Sequence, residues 1–201
     1  LTRWDQGAGR VPELAVYGPP GMKAITQRLI ADDGAFGPDL ISRTKNQASL
    51  DVYRARGGQG ERARPNPAVG QPTPGSVVEG DGWTVRAVEV YHFQPHLTSL
   101  GYRLDANEHS LVYSGDTGPC RALAELARDC DVLVHMCHYL SGTALSKTFA
   151  AFTMGHREAA ELAHAARVKS LVLTHVTTQI DQPGVRERVL REGSDIYKGN
   201  V

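Results

Sequence analysis

The amino-acid sequence predicts an α/β fold in which helices cover a sheet. Two observations lead to this prediction. Short apolar runs alternate with helical patterns along the second half of the chain, which is typical of strands connected through helices. The later strand candidates are also apolar almost throughout, as expected for strands that are covered on both faces.

The composition is that of an ordinary globular protein. The chain has 201 residues, of which 41% are hydrophobic and 22% charged, and this suits a single domain over residues 1–201. The 22 basic residues equal the 22 acidic residues, so net charge indicates neither a nucleic-acid nor a membrane partner. Three cysteines without zinc-type spacing indicate a reduced protein, for which we expect a cytoplasmic location.

The first part of the chain predicts a strand, helices and a loop. A strand is expected at residues 14–17, and a helix at 22–30, where apolar residues recur at helical spacing. Residues 39–56 are also predicted to be helical. Residues 57–75 are rich in Gly, Pro and Arg and lack periodicity, so we expect an exposed loop or lid there.

The middle of the chain predicts an antiparallel meander. Residues 83–90 alternate between apolar and polar, as in a half-buried strand. Strands at 99–104 and 110–113 follow and are joined by a polar turn. The remaining predicted elements are a helix with Pro119 in its first turn, strands at 131–136 and 170–174, and helices at 158–166 and 185–191.

The sequence Ser-Gly-Asp-Thr-Gly at 114–118 is the most informative stretch. It lies between an apolar strand and a predicted helix, so Asp116 is expected at the carboxyl end of a strand, where open α/β sheets bind ligands. Gly115 and Gly118 permit a tight turn and a close approach of the ligand. The alternative is that Asp116 only caps the following helix, and these residues alone leave both interpretations open.

Histidines follow several of the predicted strands. His92, His138 and His175 each lie at or just past the end of a strand. Because these strands are expected to be neighbours in one sheet, we expect the histidine side chains to converge with Asp116. Imidazole nitrogen and carboxylate oxygen suit zinc, and also manganese or iron. One histidine at a strand end is more often an ordinary polar residue, so the metal interpretation depends on the group.

Five segments carry a resemblance to a known family. They are Val-Tyr-His at 90–92, Ser-Leu-Gly-Tyr-Arg at 99–103, Val-Tyr-Ser-Gly-Asp-Thr at 112–117, Gly-His at 155–156 and Leu-Val-Leu-Thr-His at 171–175. In this order and spacing, the chain resembles the metallo-β-lactamase-fold hydrolases, and among them the ribonuclease Z and arylsulfatase-like branch. The resemblance implies an αββα sandwich with a two-metal site at the sheet edge.

The resemblance also implies roles for individual residues. His92 would bind the first metal, Asp116 would bridge both metals, and His175 would bind the second. His156 is similar to a histidine that acts near the scissile phosphate in ribonuclease Z. Asp116 and His156 are therefore the expected catalytic residues.

The expected function is that of a metal-dependent hydrolase. The resemblance implies two zinc ions, with manganese or iron as alternatives, and attack by a metal-bound hydroxide on a small ester, lactone, sulfate ester or phosphodiester. His138 and Tyr139 are expected to bind the substrate. Two alternatives stay open: tRNA 3′-end processing as in ribonuclease Z, and a metal-free binding or structural remnant of the fold.

Two departures from the family pattern qualify these expectations. The family's His-x-His-x-Asp-His motif is absent and should lie upstream of Leu1, so we expect part of the first sheet to be missing and an apolar sheet edge to be exposed. The loop at 57–75 precedes His92, whereas the tRNA-gripping arm of ribonuclease Z follows the matching histidine. With the neutral charge, this order argues against nucleic acid and for a small-molecule substrate. A homo-oligomer stays open.

Overall fold

The computed structural model describes residues 14–143 and 146–201. The chain divides into two compact units, residues 1–72 and 73–201. All of the predicted site residues belong to the second unit.

The described part of the first unit consists of three helices and a two-stranded parallel sheet. Its elements are β1 (Ala15–Tyr17), α1 (Met22–Ile30), α2 (Gly37–Lys45), α3 (Gln47–Ala55) and β2 (Ala68–Gly70). The predicted helix at 39–56 is two helices, because Asn46 has an extended backbone and its side chain accepts a hydrogen bond from the Ser49 N–H, which caps α3. The predicted loop at 57–75 contains β2, which at three residues is too short to show alternation.

The second unit contains a six-stranded mixed sheet. Its strands lie in the order β3-β4-β5-β6-β7-β8. Neighbouring strands from β3 to β6 are antiparallel, whereas β6, β7 and β8 are parallel. The elements are β3 (Val77–Gly80), β4 (Trp83–Val90), β5 (Ser99–Ala106), β6 (His109–Tyr113), α4 (Arg121–Leu126), β7 (Val132–Met136), α5 (Lys147–Phe152), α6 (His156–Ala165), β8 (Ser170–Thr174) and α7 (Val185–Ile196).

This topology confirms the predicted meander over β4, β5 and β6 and the alternation of helices and strands that follows it. It also explains how the site is assembled. β4 and β6 are each antiparallel to β5 and so run in the same direction, and β7 and β8 run parallel to β6. The carboxyl ends of four strands therefore meet at one edge of the sheet.

Helices cover one face of the sheet and form its core. α4 packs on β4 and β5, and α6 packs on β7 and β8. The central side chains of this core have at most 2% of their surface exposed; they are Val90, Val112, Leu123, Leu133 and Leu171. Burial of this apolar surface is the main term that stabilises the second unit.

The opposite face of the same sheet is apolar but open. Leu104 and Leu111 pair across β5 and β6 on this face and are 37% and 38% exposed, while Tyr113 and Val172 are both 46% exposed. We expected an exposed apolar edge, and the structure shows an exposed apolar face instead. The second unit taken by itself is thus a sheet with helices on one side. In an αββα sandwich, a second sheet packs on such an apolar face.

Two expectations from composition can be compared with the structure. Cys120, Cys130 and Cys137 are buried and free, as expected for small core residues of a reduced protein. Within residues 14–143 and 146–201, every helix is too short or too polar to cross a lipid bilayer.

Candidate active site

Four of the predicted site residues lie together at one edge of the sheet. His92 follows β4, Asp116 follows β6, His138 follows β7 and His175 follows β8. The Nε2 atom of His175 is 3.5 Å from Oδ2 of Asp116, and Nε2 of His92 is 4.0 Å from the same oxygen. The Nδ1 atoms of His138 and His175 are 3.0 Å apart. The structure therefore places two imidazoles beside one carboxylate and a third imidazole against His175.

A tightly fastened turn holds Asp116. Gly115 has a φ of 61°, and a Cβ atom there would lie 2.8 Å from the carbonyl oxygen of Leu100, so the turn requires glycine. The buried hydroxyl of Ser114 accepts a hydrogen bond from the Met136 N–H (3.1 Å). This bond ties the turn after β6 to the end of β7, which fixes the direction of the Asp116 backbone.

Asp116 does not cap the helix that follows it. α4 begins at Arg121, and its N-cap residue is Cys120. The side chain of Asp116 is 39% exposed and faces the imidazoles of His92 and His175 instead. The helix-cap interpretation of Asp116 is therefore wrong.

His92 presents a defined ring nitrogen to the carboxylate. Its Nδ1 atom lies 3.0 Å from the carbonyl oxygen of Phe152. A carbonyl can only accept, so Nδ1 carries a proton, and in the neutral ring Nε2 carries the lone pair. This lone pair faces the Asp116 carboxylate across 4.0 Å. Two electron-rich groups placed in this way are complementary to a cation between them, either a proton or a metal ion.

His138 and His175 form a second imidazole pair. Because their Nδ1 atoms are 3.0 Å apart, one ring must donate and the other accept. Burial, followed by the proximity of His175, lowers the pKa of His138. His175 has a φ of 58°, which is uncommon for a residue with a side chain. Backbone strain of this kind is concentrated at functional sites.

The donors of this cluster fit a divalent metal. Two ligands about 2.1 Å from one tetrahedral ion are about 3.4 Å apart, close to the 3.5 Å between His175 and Asp116. Within the described residues, no three His, Cys, Asp or Glu side chains form a ready-made metal site. Asp116 instead makes one pair with His92 and another with His175. Each pair is short of the three protein ligands that are usual for catalytic zinc.

His156 occupies a different environment from the cluster. It is the first residue of α6 and is fully buried. Its Nδ1 atom accepts a hydrogen bond from the Ser141 N–H (3.1 Å), and its Nε2 atom bonds to the carboxylate of Glu192 (2.8 Å). Because both ring nitrogens are engaged inside the fold, this arrangement favours a positioning role over the predicted contact with the scissile bond.

Tyr139 is also more enclosed than a substrate-binding residue should be. It is 6% exposed, its backbone bridges to Gly155, and its ring packs 5.9 Å from the ring of Phe149. The same phenyl ring lies 5.5 Å from the ring of His138, which is half-buried. His138 therefore keeps an accessible ring beside His175, whereas the enclosed ring of Tyr139 does not favour the predicted contact with substrate.

Sequence reasoning missed three contributors to this region. They are the Phe152 carbonyl that orients His92, the Phe149 ring beside His138, and Glu192 behind His156. Every residue has a backbone carbonyl, so the sequence does not indicate that the one of Phe152 accepts from His92. Phe149 and Phe152 belong to a helix of six residues, too short for a periodic pattern. A glutamate in an amphipathic helix ordinarily faces solvent, so nothing distinguishes Glu192 in the sequence.

The fold and the cluster define an α/β protein with a histidine and carboxylate site at the end of its sheet. Residues 44–176 match the family described as the Beta-lactamase superfamily domain. This match spans more than half of the chain, so the protein belongs to that family. The resemblance expected from the sequence is confirmed, and family membership indicates a hydrolase.

Individual relatives agree with this placement. A ribonuclease Z of Mycobacterium bovis is 29% identical over 214 residues, which cover 100% of this chain and 68% of the relative. Among solved structures, the metallo-β-lactamase-fold protein YhfI of Bacillus subtilis has a TM-score of 0.58 at 20% identity. The match covers 70% of this chain and 54% of the YhfI chain. The short form of human tRNase Z has a TM-score of 0.55 at 16% identity, with coverages of 85% and 62%.

A third structure of the same fold contains metal. Zn²⁺-bound PqqB from Methylobacterium extorquens has a TM-score of 0.52 at 14% identity, over 90% of this chain and 58% of PqqB. At these identities the solved structures show the fold alone. The chain spans 54% to 68% of the length of these four proteins.

Proposed function

We propose that the chain carries one carboxylate and two histidine ligands of a metal-dependent hydrolase. The observation that supports this most directly is the position of Oδ2 of Asp116, 4.0 Å from Nε2 of His92 and 3.5 Å from Nε2 of His175. Asp116 is the residue suited to bridge two cations, because a carboxylate has two oxygens and offsets part of their charge. Zinc is the first candidate on the basis of this donor set, with manganese or iron as alternatives.

The protein's own groups would prepare this site in two ways. The Phe152 carbonyl holds the Nδ1 proton of His92 and so aims the Nε2 lone pair at Asp116. His138 would accept the Nδ1 proton of His175, which leaves Nε2 of His175 free to bind. Such partners fix the tautomer and raise the basicity of a ligand histidine. When bound, a divalent metal would supply Lewis acidity and lower the pKa of water toward neutrality.

For the substrate, we propose a phosphodiester, with RNA as the first candidate. The relatives named ribonuclease Z support this proposal, and they run against the sequence-based expectation that nucleic acid is not a partner. A net charge of zero does not exclude a local basic surface. In the first unit, Lys45, Arg54, Arg62 and Arg64 border a cavity of about 670 Å³ together with Glu61. Arg54 and Arg64 are paired with Asp51 and Asp32, so this cavity is only partly basic and the ribonuclease Z relatives carry the proposal.

A small ester, lactone or sulfate ester is the second candidate substrate. Two observations favour it: the balance of 22 basic and 22 acidic residues, and the position of the loop at 57–75 ahead of His92. A metal-free binding protein is the remaining alternative, from a different functional class.

One set of assays separates these candidates. The protein that contains this chain is supplied with Zn²⁺ or Mn²⁺ and given precursor tRNA, bis(4-nitrophenyl) phosphate, 4-nitrophenyl sulfate and a small lactone. Cleavage of precursor tRNA and the phosphodiester, abolished in Asp116→Asn, would support the first candidate. Turnover of only the sulfate or lactone would favour the second. The absence of metal-dependent turnover on every substrate would contradict the hydrolase proposal.

A further inference from the structure

The carboxylate of Glu192, in α7, is the centre of a hydrogen-bonded network. Its Oε2 atom accepts from Nε2 of His156 (2.8 Å) and from Nε of Arg157 (3.0 Å), and its Oε1 atom accepts from Nε of Arg188 (2.7 Å). The side chain of Glu192 is only 18% exposed. The guanidinium of Arg157, then that of Arg188, and then His156 hold the pKa of Glu192 well below its usual range. Glu192 is therefore an ionised acceptor in a fixed position.

This carboxylate selects one tautomer of His156. The Ser141 N–H donates to Nδ1 of His156 (3.1 Å), so Nδ1 must carry a lone pair. The ring proton then lies on Nε2, where the carboxylate of Glu192 accepts it at 2.8 Å. The ring is fully buried, so its two nitrogens depend on these protein groups for their hydrogen bonds. Glu192 and Ser141 thus fix the tautomer of His156 through hydrogen bonds to its two ring nitrogens.

His156 in turn fastens the segment that follows β7. Besides the bond from its N–H, Ser141 accepts at Oγ from the Arg157 N–H (3.0 Å) and donates from Oγ to Glu158. At the other end of this segment, the His138 N–H donates to the carbonyl of Met154 (2.9 Å). The segment from His138 to Ser141 is therefore attached at one end to Met154, two residues before α6, and at the other end to the first turn of α6.

The same segment carries the His138 ring that touches His175. Their Nδ1 atoms are 3.0 Å apart, and Nε2 of His175 is 3.5 Å from Asp116. Contacts therefore run without interruption from Glu192 through His156 and the segment 138–141 to the candidate metal-binding residues. Errors of about 1 Å in the placement of such groups cost roughly 100-fold in rate.

We propose that Glu192 is a positioning residue of the hydrolytic site, acting through His156 on the segment that carries His138. This inference rests on the proposed function and deepens it. Removal of the carboxylate takes away the acceptor that keeps the His156 proton on Nε2. The ring proton can then move to Nδ1, where His156 no longer accepts the hydrogen bond from the Ser141 N–H. A buried N–H without an acceptor is costly. The segment 138–141 shifts as a result, and the His138 ring then loses its contact with Nδ1 of His175.

The competing explanation is that Glu192 only joins α6 to α7 through ion pairs. Arg157 and Arg188 are about half exposed, and ion pairs of this kind contribute little to stability. A purely structural role would change the midpoint of unfolding but not the His156 tautomer or the protection of the Ser141 amide. These two readouts therefore separate the explanations, and neither needs substrate or bound metal.

The test compares three variants in the protein that contains this chain. Glu192→Ala removes the acceptor, Glu192→Gln keeps an acceptor oxygen but not the charge, and Glu187→Ala removes an exposed carboxylate from the same helix as a control. Nitrogen-15 NMR of the histidine side chains reads the His156 tautomer, and hydrogen exchange reads the Ser141 amide. The metal content, kcat and KM for the cleaved phosphodiester are measured alongside.

We expect the wild type to carry the His156 proton on Nε2 and to protect the Ser141 amide. Glu192→Ala should expose this amide and lower kcat roughly 10- to 100-fold, with KM changed less than kcat. Glu192→Gln should retain the tautomer and most of kcat, and Glu187→Ala should match the wild type. A wild-type His156 protonated on Nδ1, or a Glu192→Ala protein with wild-type tautomer and exchange, would overturn the inference. If the wild type hydrolyses nothing, the proposed function fails while the NMR and exchange results still decide the positioning claim.

Discussion

The Nε2 atom of His175 lies 3.5 Å from Oδ2 of Asp116, although the strands that carry these residues are not neighbours. β7 lies between β6 and β8. The turns that follow β6 and β8 meet beyond the carboxyl end of β7. Asp116 reaches this point from a glycine-containing turn, and His175 from a backbone in the left-handed region. The sheet therefore brings both residues to one edge, and unusual backbone conformations aim their side chains at each other.

The left-handed backbone of His175 predicts opposite effects of His175→Gly on the stability of the protein and on metal binding. Glycine adopts a φ of 58° without the steric cost that His175 bears. We expect His175→Gly to leave the free energy of unfolding of the metal-free protein unchanged or to raise it by up to about 1 kcal/mol, while metal binding is lost. Denaturant titration and equilibrium dialysis against Zn²⁺ measure the two effects.

Asn107→Gly is the matched control for His175→Gly. Asn107 has a φ of 53° in the turn between β5 and β6, and its replacement should leave metal binding intact. A His175→Gly protein that binds zinc as tightly as the Asn107→Gly protein would remove His175 from the proposed ligand set.

Gly118 is predicted to be irreplaceable for steric reasons. A Cβ atom at this position would lie 2.0 Å from the carbonyl oxygen of Ala151 and 2.9 Å from the nitrogen of Phe152. Gly118→Ala should therefore displace the segment whose Phe152 carbonyl orients His92. We expect a loss of about 1–3 kcal/mol in the free energy of unfolding, together with weaker metal binding.

Gly193→Ala provides the contrast for Gly118→Ala. Gly193 lies inside α7, where a new Cβ atom would meet its nearest neighbour, a Val201 methyl group, at an ordinary 3.8 Å. Alanine should stabilise the helix by up to about 1 kcal/mol and leave metal binding unchanged. Equal stability of the Gly118→Ala protein and the wild type would show that the segment at 151–152 moves aside without cost.

Sequence reasoning recovers the members of the cluster because strand ends are encoded locally. Asp116, His138 and His175 each follow an apolar run, and parallel strands bring such ends to one edge of a sheet. The number and order of the late strands follow from the same runs. The shortest elements were missed or merged: α5 has six residues, and α2 and α3 are separated only by Asn46.

Burial at the site could not be derived from the sequence. His156 and Tyr139 lie next to informative residues in the chain, but the packing of α6, α7 and Phe149 decides that both are enclosed. The same applies to Glu192, whose partners Arg157 and His156 come from another helix. Long-range packing of this kind has no period or motif in the sequence, and so the roles of these residues depend on the structure.

His135 is predicted to make stability depend on pH. The ring is fully buried, its Nδ1 atom lies 2.9 Å from the Met136 carbonyl oxygen, and Nε2 lacks a hydrogen-bond partner among the described residues. Burial lowers the pKa of His135 from 6.5 to about 4. As pH falls from 6.5 toward 4, the unfolded chain takes up a proton at this residue that the folded chain does not. The free energy of unfolding should therefore decrease, by at most about 1.4 kcal/mol per pH unit from this group.

Replacement of His135 by leucine should remove this contribution. Denaturant titrations between pH 7 and pH 4 should show a shallower loss of stability for His135→Leu than for the wild type. His164→Leu, at an exposed position in α6, should keep the wild-type slope. Parallel slopes for the wild type and His135→Leu would mean that His135 titrates normally in the folded protein.

The metal content of Asp116→Asn tests the central claim most directly. The wild type, Asp116→Asn and Asp81→Asn, which removes an exposed carboxylate in the turn between β3 and β4, are dialysed to equilibrium against Zn²⁺, and bound zinc per chain is measured by mass spectrometry. An amide offers one neutral oxygen in place of a charged carboxylate that can bridge two ions, so Asp116→Asn should lose most of the zinc and the hydrolysis that the wild type and Asp81→Asn retain. Wild-type zinc binding by Asp116→Asn would contradict the account.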